Sequence, residues 1–146
     1  MARISEVLQR KGTQVHSIAP SATVYQAIEK MVAENVGSLV VLDGGRVRGI
    51  ITERDYLRRV ILQGRASKTT RVEEIMTREV AYVNPENTVE ETMAIMTEKR
   101  CRHLPVIEGG RLAGIISVGD LVKYLVRDQE FQIEHLTNYI TGKYPV

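Results

Sequence analysis

Two pairs of side chains that could bind a nucleotide recur in the chain, each a hydroxyl followed three residues later by a carboxylate. The pairs are Thr52 with Asp55 and Ser117 with Asp120. A hydroxyl at the N-terminus of a helix, together with the free amides there, can bind a phosphate group. A carboxylate one turn further on can accept hydrogen bonds from the hydroxyls of a ribose. The spacing therefore suits a ribose and a phosphate together.

The same spacing also has a purely structural interpretation. A Ser or Thr that caps a helix, with an acidic residue three positions later, is a common helix start, and the acidic residue also suits the helix dipole. Two other predicted helix starts, Thr23 and Thr88, carry a longer Gln or Glu at the third position. The use of Asp in both motifs favours binding, but each pair taken alone is also compatible with a cap.

The two motifs end the two copies of an internal repeat. Residues 15–55 align without a gap with residues 80–120, and 14 positions are identical 65 residues later. Two copies are too few for a solenoid, so the repeat predicts a paired, pseudo-symmetric domain. A short segment before each copy also matches, residues 4–8 with 72–76, at an offset of 68.

The elements that must position the motifs follow from the hydrophobic pattern of each copy. The order is strand, helix, strand, tight turn, strand and helix, with Gly44-Gly45 and Gly109-Gly110 in the turns. Each motif thus lies where the last strand passes into the last helix. Apolar strands such as 39–42 indicate a sheet covered by helices. The pattern predicts an α/β (α+β) fold built from two β-α-β-β-α units.

Composition limits the classes of function. The chain has 146 residues and a net charge of +2 without a basic block, which argues against nucleic acid or a membrane as the main partner. Its single cysteine, Cys101, cannot form an internal disulfide, so a reducing compartment, by default the cytoplasm, is expected. The sequence holds no set of nucleophile, base and orienting residue, and no zinc or P-loop motif, so no enzyme is predicted.

Three longer motifs include these residues: Gly49-Ile50-Ile51-Thr52-Glu53-Arg54-Asp55, Gly114-Ile115-Ile116-Ser117-Val118-Gly119-Asp120 and Arg102-His103-Leu104-Pro105-Val106. With these motifs in two tandem units, the sequence resembles the tandem cystathionine-β-synthase (CBS) domain pair of small stand-alone bacterial proteins. The resemblance covers about residues 4–126 and divides the chain into a first unit (4–64), a linker (65–70), a second unit (71–126) and a helical tail (127–146). It implies that the two units pack through their sheets as one Bateman module with two clefts.

The resemblance also implies a ligand and its binding residues. The clefts of this family take adenosine-containing molecules: AMP, ADP, ATP, NAD(H) or S-adenosylmethionine. The first unit has Gly37-Ser38 where the second has a basic pair, so the two clefts are expected to differ. The implied contacts are Asp55 and Asp120 to ribose, Thr52 and Ser117 to ribose or phosphate, Arg102, His103 and Lys68 to phosphate, and Ile18, Val83 and Pro105 to adenine.

Two functions remain open on this basis. The first is a non-enzymatic sensor that binds AMP or another adenine nucleotide, NAD(H) included, as a regulatory ligand and signals occupancy to an unidentified partner protein. The second is an interaction scaffold with vestigial ligand sites. A homodimer is expected in either case, and an apolar stripe in the tail, Ile133, Leu136 and Ile140, is expected to help close it.

Overall fold

The computed structural model describes residues 1–127, and within them it contains the predicted repeat of strands and helices. The first copy ends in a helix whose opening turn is α-helical and whose second part is π-helical. Its elements are α1 (Ile4–Lys11), β1 (Ser17–Ile18), α2 (Val24–Glu34), β2 (Ser38–Asp43), β3 (Arg46–Thr52), α3 (Glu53–Tyr56) and the π-helical segment Leu57–Ile61.

The second copy repeats this order with one reduction. Its elements are α4 (Val72–Ile75), α5 (Val89–Lys99), β4 (His103–Glu108), β5 (Arg111–Ser117) and a final helix, α6, that begins at residue 118 and continues to residue 127. The strand that corresponds to β1 is only a single parallel bridge, between Val83 and Val106. The mixed α+β fold with two repeats is thus confirmed.

Each unit has a small sheet built on an antiparallel hairpin. In the first, β1 pairs parallel to β2, and β2 pairs antiparallel to β3 with Ser38 opposite Thr52. In the second, β4 pairs antiparallel to β5 with His103 opposite Ser117. Both hairpins turn at a Gly-Gly pair with positive φ (56° and 81° at Gly44 and Gly45), a conformation that other residues rarely adopt. The register places each motif hydroxyl at the end of its hairpin.

The two units exchange their leading helices. Ile4, Val7 and Leu8 of α1 lie in the hydrophobic core of the second unit, together with Leu104 and Ile116. The reverse exchange involves α4, whose Val72 and Ile75, with the following Met76, lie in the core of the first unit. Each helix is therefore covalently attached to one unit and packed in the core of the other, so the two units share their leading helices.

The motif glycines allow this close packing. A Cβ atom on Gly49 would lie 2.5 Å from the backbone oxygen of Thr77, directly after α4, and a Cβ on Gly114 would lie 2.9 Å from Leu8 of α1. The bridge between Ile50 and Thr77 adds two backbone hydrogen bonds, of 2.9 and 3.0 Å. The exchanged helices thus reach the strands that lead into the two motifs.

Candidate functional site

The first motif places a buried carboxylate at the junction of β3 and α3. Thr52 caps α3 by accepting a hydrogen bond from the N–H of Asp55 (3.1 Å), and the N–H of Thr52 donates to Oδ2 of Asp55 (3.0 Å). The Thr77 hydroxyl donates to Oδ1 of the same carboxylate (3.2 Å). Asp55 is 9% exposed, so its carboxylate is held in one orientation by neighbours from both units.

The second motif has the same cap but a different neighbour. Ser117 accepts from the N–H of Asp120 (3.0 Å), and the N–H of Ser117 donates to Oδ2 of Asp120 (2.8 Å). In place of a threonine, Lys11 at the end of α1 donates to the same Oδ2 (2.6 Å) and to the carbonyl of Ile115 (2.7 Å). The two carboxylates therefore differ in charge environment: one meets a hydroxyl and the other a cation.

The pKa of Asp120 reflects this neighbour. Partial burial opposes ionisation of Asp120, but the hydrogen bonds from Lys11 and from the N–H of Ser117, with the charge of Lys11, outweigh it and lower its pKa. The carboxylate is consequently ionised at neutral pH and stabilises the contact between α1 and α6. Ribose hydroxyls that bind Asp120 must share this carboxylate with Lys11 or displace the amine.

Helix capping and ligand binding are compatible in both motifs. An ionised carboxylate has about four lone-pair sites, and each cap uses only one of them through a backbone N–H. The cap holds the Asp side chain against the strand end, which is the preorganisation that a binding group needs. The observed caps therefore leave the motif carboxylates able to bind a ligand, which stays a prediction.

His103, one of the basic pair of the second unit, lies close to Gly37 and Glu53 of the first unit. The carbonyl of Arg102 accepts from the N–H of Val118 (2.9 Å), which fixes the start of β4 beside α6. A Cβ atom built on Gly37 would be 3.9 Å from Nε2 of His103 and 3.5 Å from the carboxylate of Glu53. His103 also lies opposite Ser117 in the hairpin of the second unit, so the imidazole is close to the strand ends of both units, and its contact with a phosphate stays a prediction.

His103 is neutral near neutral pH. Burial lowers its pKa, the positive charges of Lys11 and Arg102 lower it further, and the negative charge of Asp120 only partly compensates. A neutral imidazole can still donate one hydrogen bond to a phosphate. An anion bound nearby would favour the imidazolium and raise the pKa.

This lowered pKa makes stability depend on pH. Above the unfolded pKa of about 6.5 His103 is neutral in both states, but below it the unfolded chain takes up the proton first. We therefore expect the unfolding free energy of the wild type to fall more steeply below pH 6.5 than that of His103→Gln, by at most about 1.4 kcal/mol per pH unit. Urea denaturation of both chains at several pH values measures this, and parallel pH profiles would contradict it.

A cavity of about 250 Å³ is lined by residues of both units, and one of its walls is the strand that leads to the first motif. Its walls come from β3, from the segment 78–82 and from β4. Gly49 on its wall precedes Thr52 by three residues, which is about 10 Å along an extended strand. The apolar wall could hold a flat ring and the arginines an anionic group. The lining residues are Val47, Arg48, Gly49, Arg78, Val80, Tyr82, Pro105 and Ile107.

The structure brings together only some of the expected contacts. Pro105 lines the cavity. Val83 instead lies in the core of the second unit, 1% exposed, because it pairs with β4 through hydrogen bonds to Pro105 and Ile107. Ile18 pairs with Val41 and packs against the core of the first unit. Lys68 lies over the ring of Tyr25, 4.9 Å from its centroid, so none of these three side chains lines this cavity.

Sequence reasoning missed the groups that contact the two carboxylates from the exchanged helices. Thr77 follows α4 and Lys11 ends α1, and each meets the Asp of the unit on which its helix packs. The only signal was the match of residues 4–8 with 72–76. That match shows that both units have a leading helix, but it cannot show that the helices are exchanged.

The comparison with known proteins decides the family. The sequence model of the CBS domain matches the chain twice, over residues 4–62 and 72–127. The chain belongs to the CBS-domain family. A CBS domain-containing mitochondrial protein of Arabidopsis thaliana, CBSX3, is 42% identical over 150 residues, which is 97% of this chain and 73% of the relative.

Solved structures of CBS proteins share the fold. A CBS-domain protein of Burkholderia ambifaria, provisionally assigned to signal transduction, is 48% identical with a TM-score of 0.85, over 88% of this chain and 96% of its own. A hexameric CBS-CP12 protein from bloom-forming cyanobacteria is 29% identical with a TM-score of 0.76, over 97% of this chain and 87% of its own. CBS pairs are generally regulatory modules that bind adenine nucleotides.

Two kinds of feature are absent from residues 1–127. In this part of the chain no three His, Cys, Asp or Glu side chains are grouped so that they could hold a metal ion. No helix of this part is both long and apolar enough to cross a membrane.

Proposed function

We propose that this CBS pair is a non-enzymatic regulatory module that binds an adenosine-containing ligand, AMP or a related nucleotide, and signals its presence to a partner protein. One observation carries the proposal. The Asp55 carboxylate is buried and held by groups of both units, at the end of the strand that lines the cavity between them. A ligand there would contact both units at once.

In the first cleft the ligand would extend from the cavity to the motif. Adenine would lie against Pro105 in the cavity, and the ribose hydroxyls would donate to Asp55. The phosphate would meet the hydroxyl of Thr52 and the basic pair Arg102 and His103. The nearness of the His103 imidazole to Gly37 and Glu53 supports its part in this assignment, although the same side chain also lies opposite Ser117 of the second motif.

The second cleft would bind more weakly or a different nucleotide. Ser117 and Asp120 offer the same groups, but Lys11 already donates two hydrogen bonds there, one of them to the carboxylate. Gly37-Ser38 provides no cation in the place of the basic pair. The two clefts are therefore proposed to differ in affinity.

The proposed module works as a homodimer. Four apolar side chains at pseudo-equivalent positions, Leu57 with Val122 and Ile61 with Val126, are 42–53% exposed on the last helices of the two units. An apolar patch repeated by symmetry is suited to a second copy of the chain. The tail stripe Ile133, Leu136 and Ile140 lies outside the described residues, so its part in the dimer remains a proposal.

A charge in the patch is expected to weaken the dimer. Ile61→Glu should raise the dissociation constant about tenfold or more, because a half-buried aliphatic group contributes roughly 1.5 kcal/mol and a carboxylate must be desolvated. Analytical sedimentation measures the dissociation constant of Ile61→Glu and of a control, Val32→Glu. Val32 lies on α2 and is 76% exposed. An equal effect of both, or none, would remove this patch from the interface. A chain that ends at Arg127 tests the tail in the same way.

Thermal unfolding with a ligand panel separates the sensor from the scaffold. A ligand that binds only the folded chain should add roughly 2.7 kcal/mol of stability at 100 times its dissociation constant. The panel is AMP, ATP, NAD, NADH and S-adenosylmethionine. A shift with at least one member is expected. If none changes the unfolding temperature, the alternative of an interaction scaffold with vestigial sites is favoured.

The cytoplasm is the proposed location. The single cysteine in the sequence supports a reducing compartment. The Arabidopsis relative is a mitochondrial protein, so fractionation of the native cells is the direct check.

A further inference from the structure

A second cavity lies away from the space between the sheets, in the groove between α1 and α6. Its volume is about 220 Å³. Four of its seven lining side chains are cationic and only one is acidic. The lining residues are Val7, Arg10, Lys11, Asp120, Lys123, Tyr124 and Arg127.

Within residues 1–127, the four cations that line this groove outnumber its one lining carboxylate, Asp120, and the nearby carboxylate of Glu6 accepts a hydrogen bond from the Tyr124 hydroxyl (3.0 Å). Lys11 forms an ion pair with Asp120 (2.6 Å). Arg10 lies over the ring of Tyr124, 4.6 Å from its centroid. Within residues 1–127 no ion pair involves Arg10, Lys123 or Arg127. Cations that share one concave surface repel each other and attract an anion.

The equivalent groove of the first unit is built differently, so duplication alone does not explain the charge. The residue that corresponds to Tyr124, 65 positions earlier, is Arg59. Its guanidinium donates to the carbonyls of Ile75 (2.8 Å) and Met76 (3.2 Å) at the end of α4. These contacts use the Arg59 cation within the first unit, whereas Tyr124 lies under Arg10 and donates a hydrogen bond to Glu6 (3.0 Å).

We propose that the groove between α1 and α6 is a binding site for a phosphoanion with two or three linked phosphates. Guanidinium and ammonium groups are the side chains that bind phosphate oxygens through charge-assisted hydrogen bonds. Three cations that form no ion pair within residues 1–127 suit an oligophosphate better than a single carboxylate. The anion is either free or the phosphate chain of a nucleotide whose ribose lies at Asp120. The site itself does not depend on adenosine binding at either motif.

Calorimetric titration of the full chain with sodium tripolyphosphate tests the site. Lys123→Gln is compared with Arg58→Gln, which removes one charge at the pseudo-equivalent, exposed position of the first unit. We expect one tripolyphosphate per chain, an affinity about tenfold lower for Lys123→Gln, and wild-type affinity for Arg58→Gln. No binding to the wild type, or equal weakening by both substitutions, would overturn the proposal.

Two further titrations identify the source of the anion. If the groove takes a nucleotide chain, Lys123→Gln weakens ATP binding but not AMP binding, and Asp120→Asn weakens ATP binding as well. If the anion is free, Lys123→Gln weakens only tripolyphosphate, and Asp120→Asn does not lower its affinity. Either pattern supports the groove as a phosphoanion site. Failure of AMP to bind anywhere would count against the adenosine clefts and leave the tripolyphosphate result intact.

Discussion

Asp55→Asn is expected to lower the affinity of the first cleft for AMP about 100-fold. A ribose that donates two hydrogen bonds to a carboxylate gains roughly 1.5–3 kcal/mol from each, and a neutral amide loses much of this. The amide oxygen of Asn can still accept the N–H of Thr52, which Asp55 now accepts at 3.0 Å. The cap of α3 is therefore retained, and the effect should be on binding more than on folding.

Isothermal titration of wild type, Asp55→Asn and Glu29→Gln measures this effect. Glu29 is exposed on α2, so its substitution removes the same charge away from the cleft and should leave AMP affinity unchanged. Circular dichroism should show that all three chains are folded. An Asp55→Asn chain that binds AMP as the wild type does would show that this carboxylate does not bind the ribose.

Ile4→Ala is expected to lower the unfolding free energy by about 2–5 kcal/mol, the usual cost of truncating a fully buried aliphatic side chain. Ile4 stands near the chain start, where a substitution is often tolerated. Its side chain is nevertheless 0% exposed and lies in the core of the second unit with Leu104 and Ile116. The loss follows from the exchange of α1 and α4 between the units.

Urea denaturation of Ile4→Ala beside Val32→Ala gives the size of the loss. Val32 is 76% exposed, so its truncation should cost less than about 0.5 kcal/mol. Amide hydrogen exchange shows where stability is lost. Protection should fall more at Leu104 and Ile116 of the second unit than at Leu39 and Ile51 of the first unit. A loss below about 1 kcal/mol, or one centred on the first unit, would contradict the exchange of helices.

The local parts of the fold could be predicted because local sequence signals determine them. The Gly-Gly turns require positive φ, the β-branched runs around them form the hairpins, and Thr23 and Thr52 cap their helices as their third-position partners indicated. Because the sequence repeats, each element predicted in the first copy was also predicted in the second. These features depend on neighbours only a few residues apart, which a single sequence displays.

The non-local parts could not be predicted in the same way. Packing α1 on the second unit and α4 on the first satisfies the same hydrophobic pattern as the reverse arrangement. The contact of Lys11 with Asp120 joins residues 109 positions apart. No pattern among residues close in sequence indicates which core each leading helix joins, or that Lys11 pairs with Asp120. The same limit applies to the basic groove, which exists only because α1 lies beside α6.

The candidate site illustrates both cases. Backbone pairing between neighbouring strands decides which side chains pack in the core. Val83 pairs with β4 and Ile18 with β2, so both side chains pack against the cores and neither lines the cavity in which adenine is proposed to lie. Pro105 lines the cavity because β4 lies at the boundary between the units. The motif carboxylates were proposed from their spacing and from the family resemblance, whereas their different partners, Thr77 and Lys11, came only from the three-dimensional arrangement.

Nuclear magnetic resonance of the isotope-labelled chain during titration with AMP tests the central claim most directly, because it reports where the ligand binds as well as whether it binds. We expect that, as AMP is added, the amide resonances of Thr52, Asp55 and Thr77 and those of the cavity wall at 78–82 shift first and saturate together. Resonances of the second motif should move later or not at all. Saturable binding that leaves Thr52, Asp55 and the cavity wall unmoved, or no binding of AMP, would contradict it.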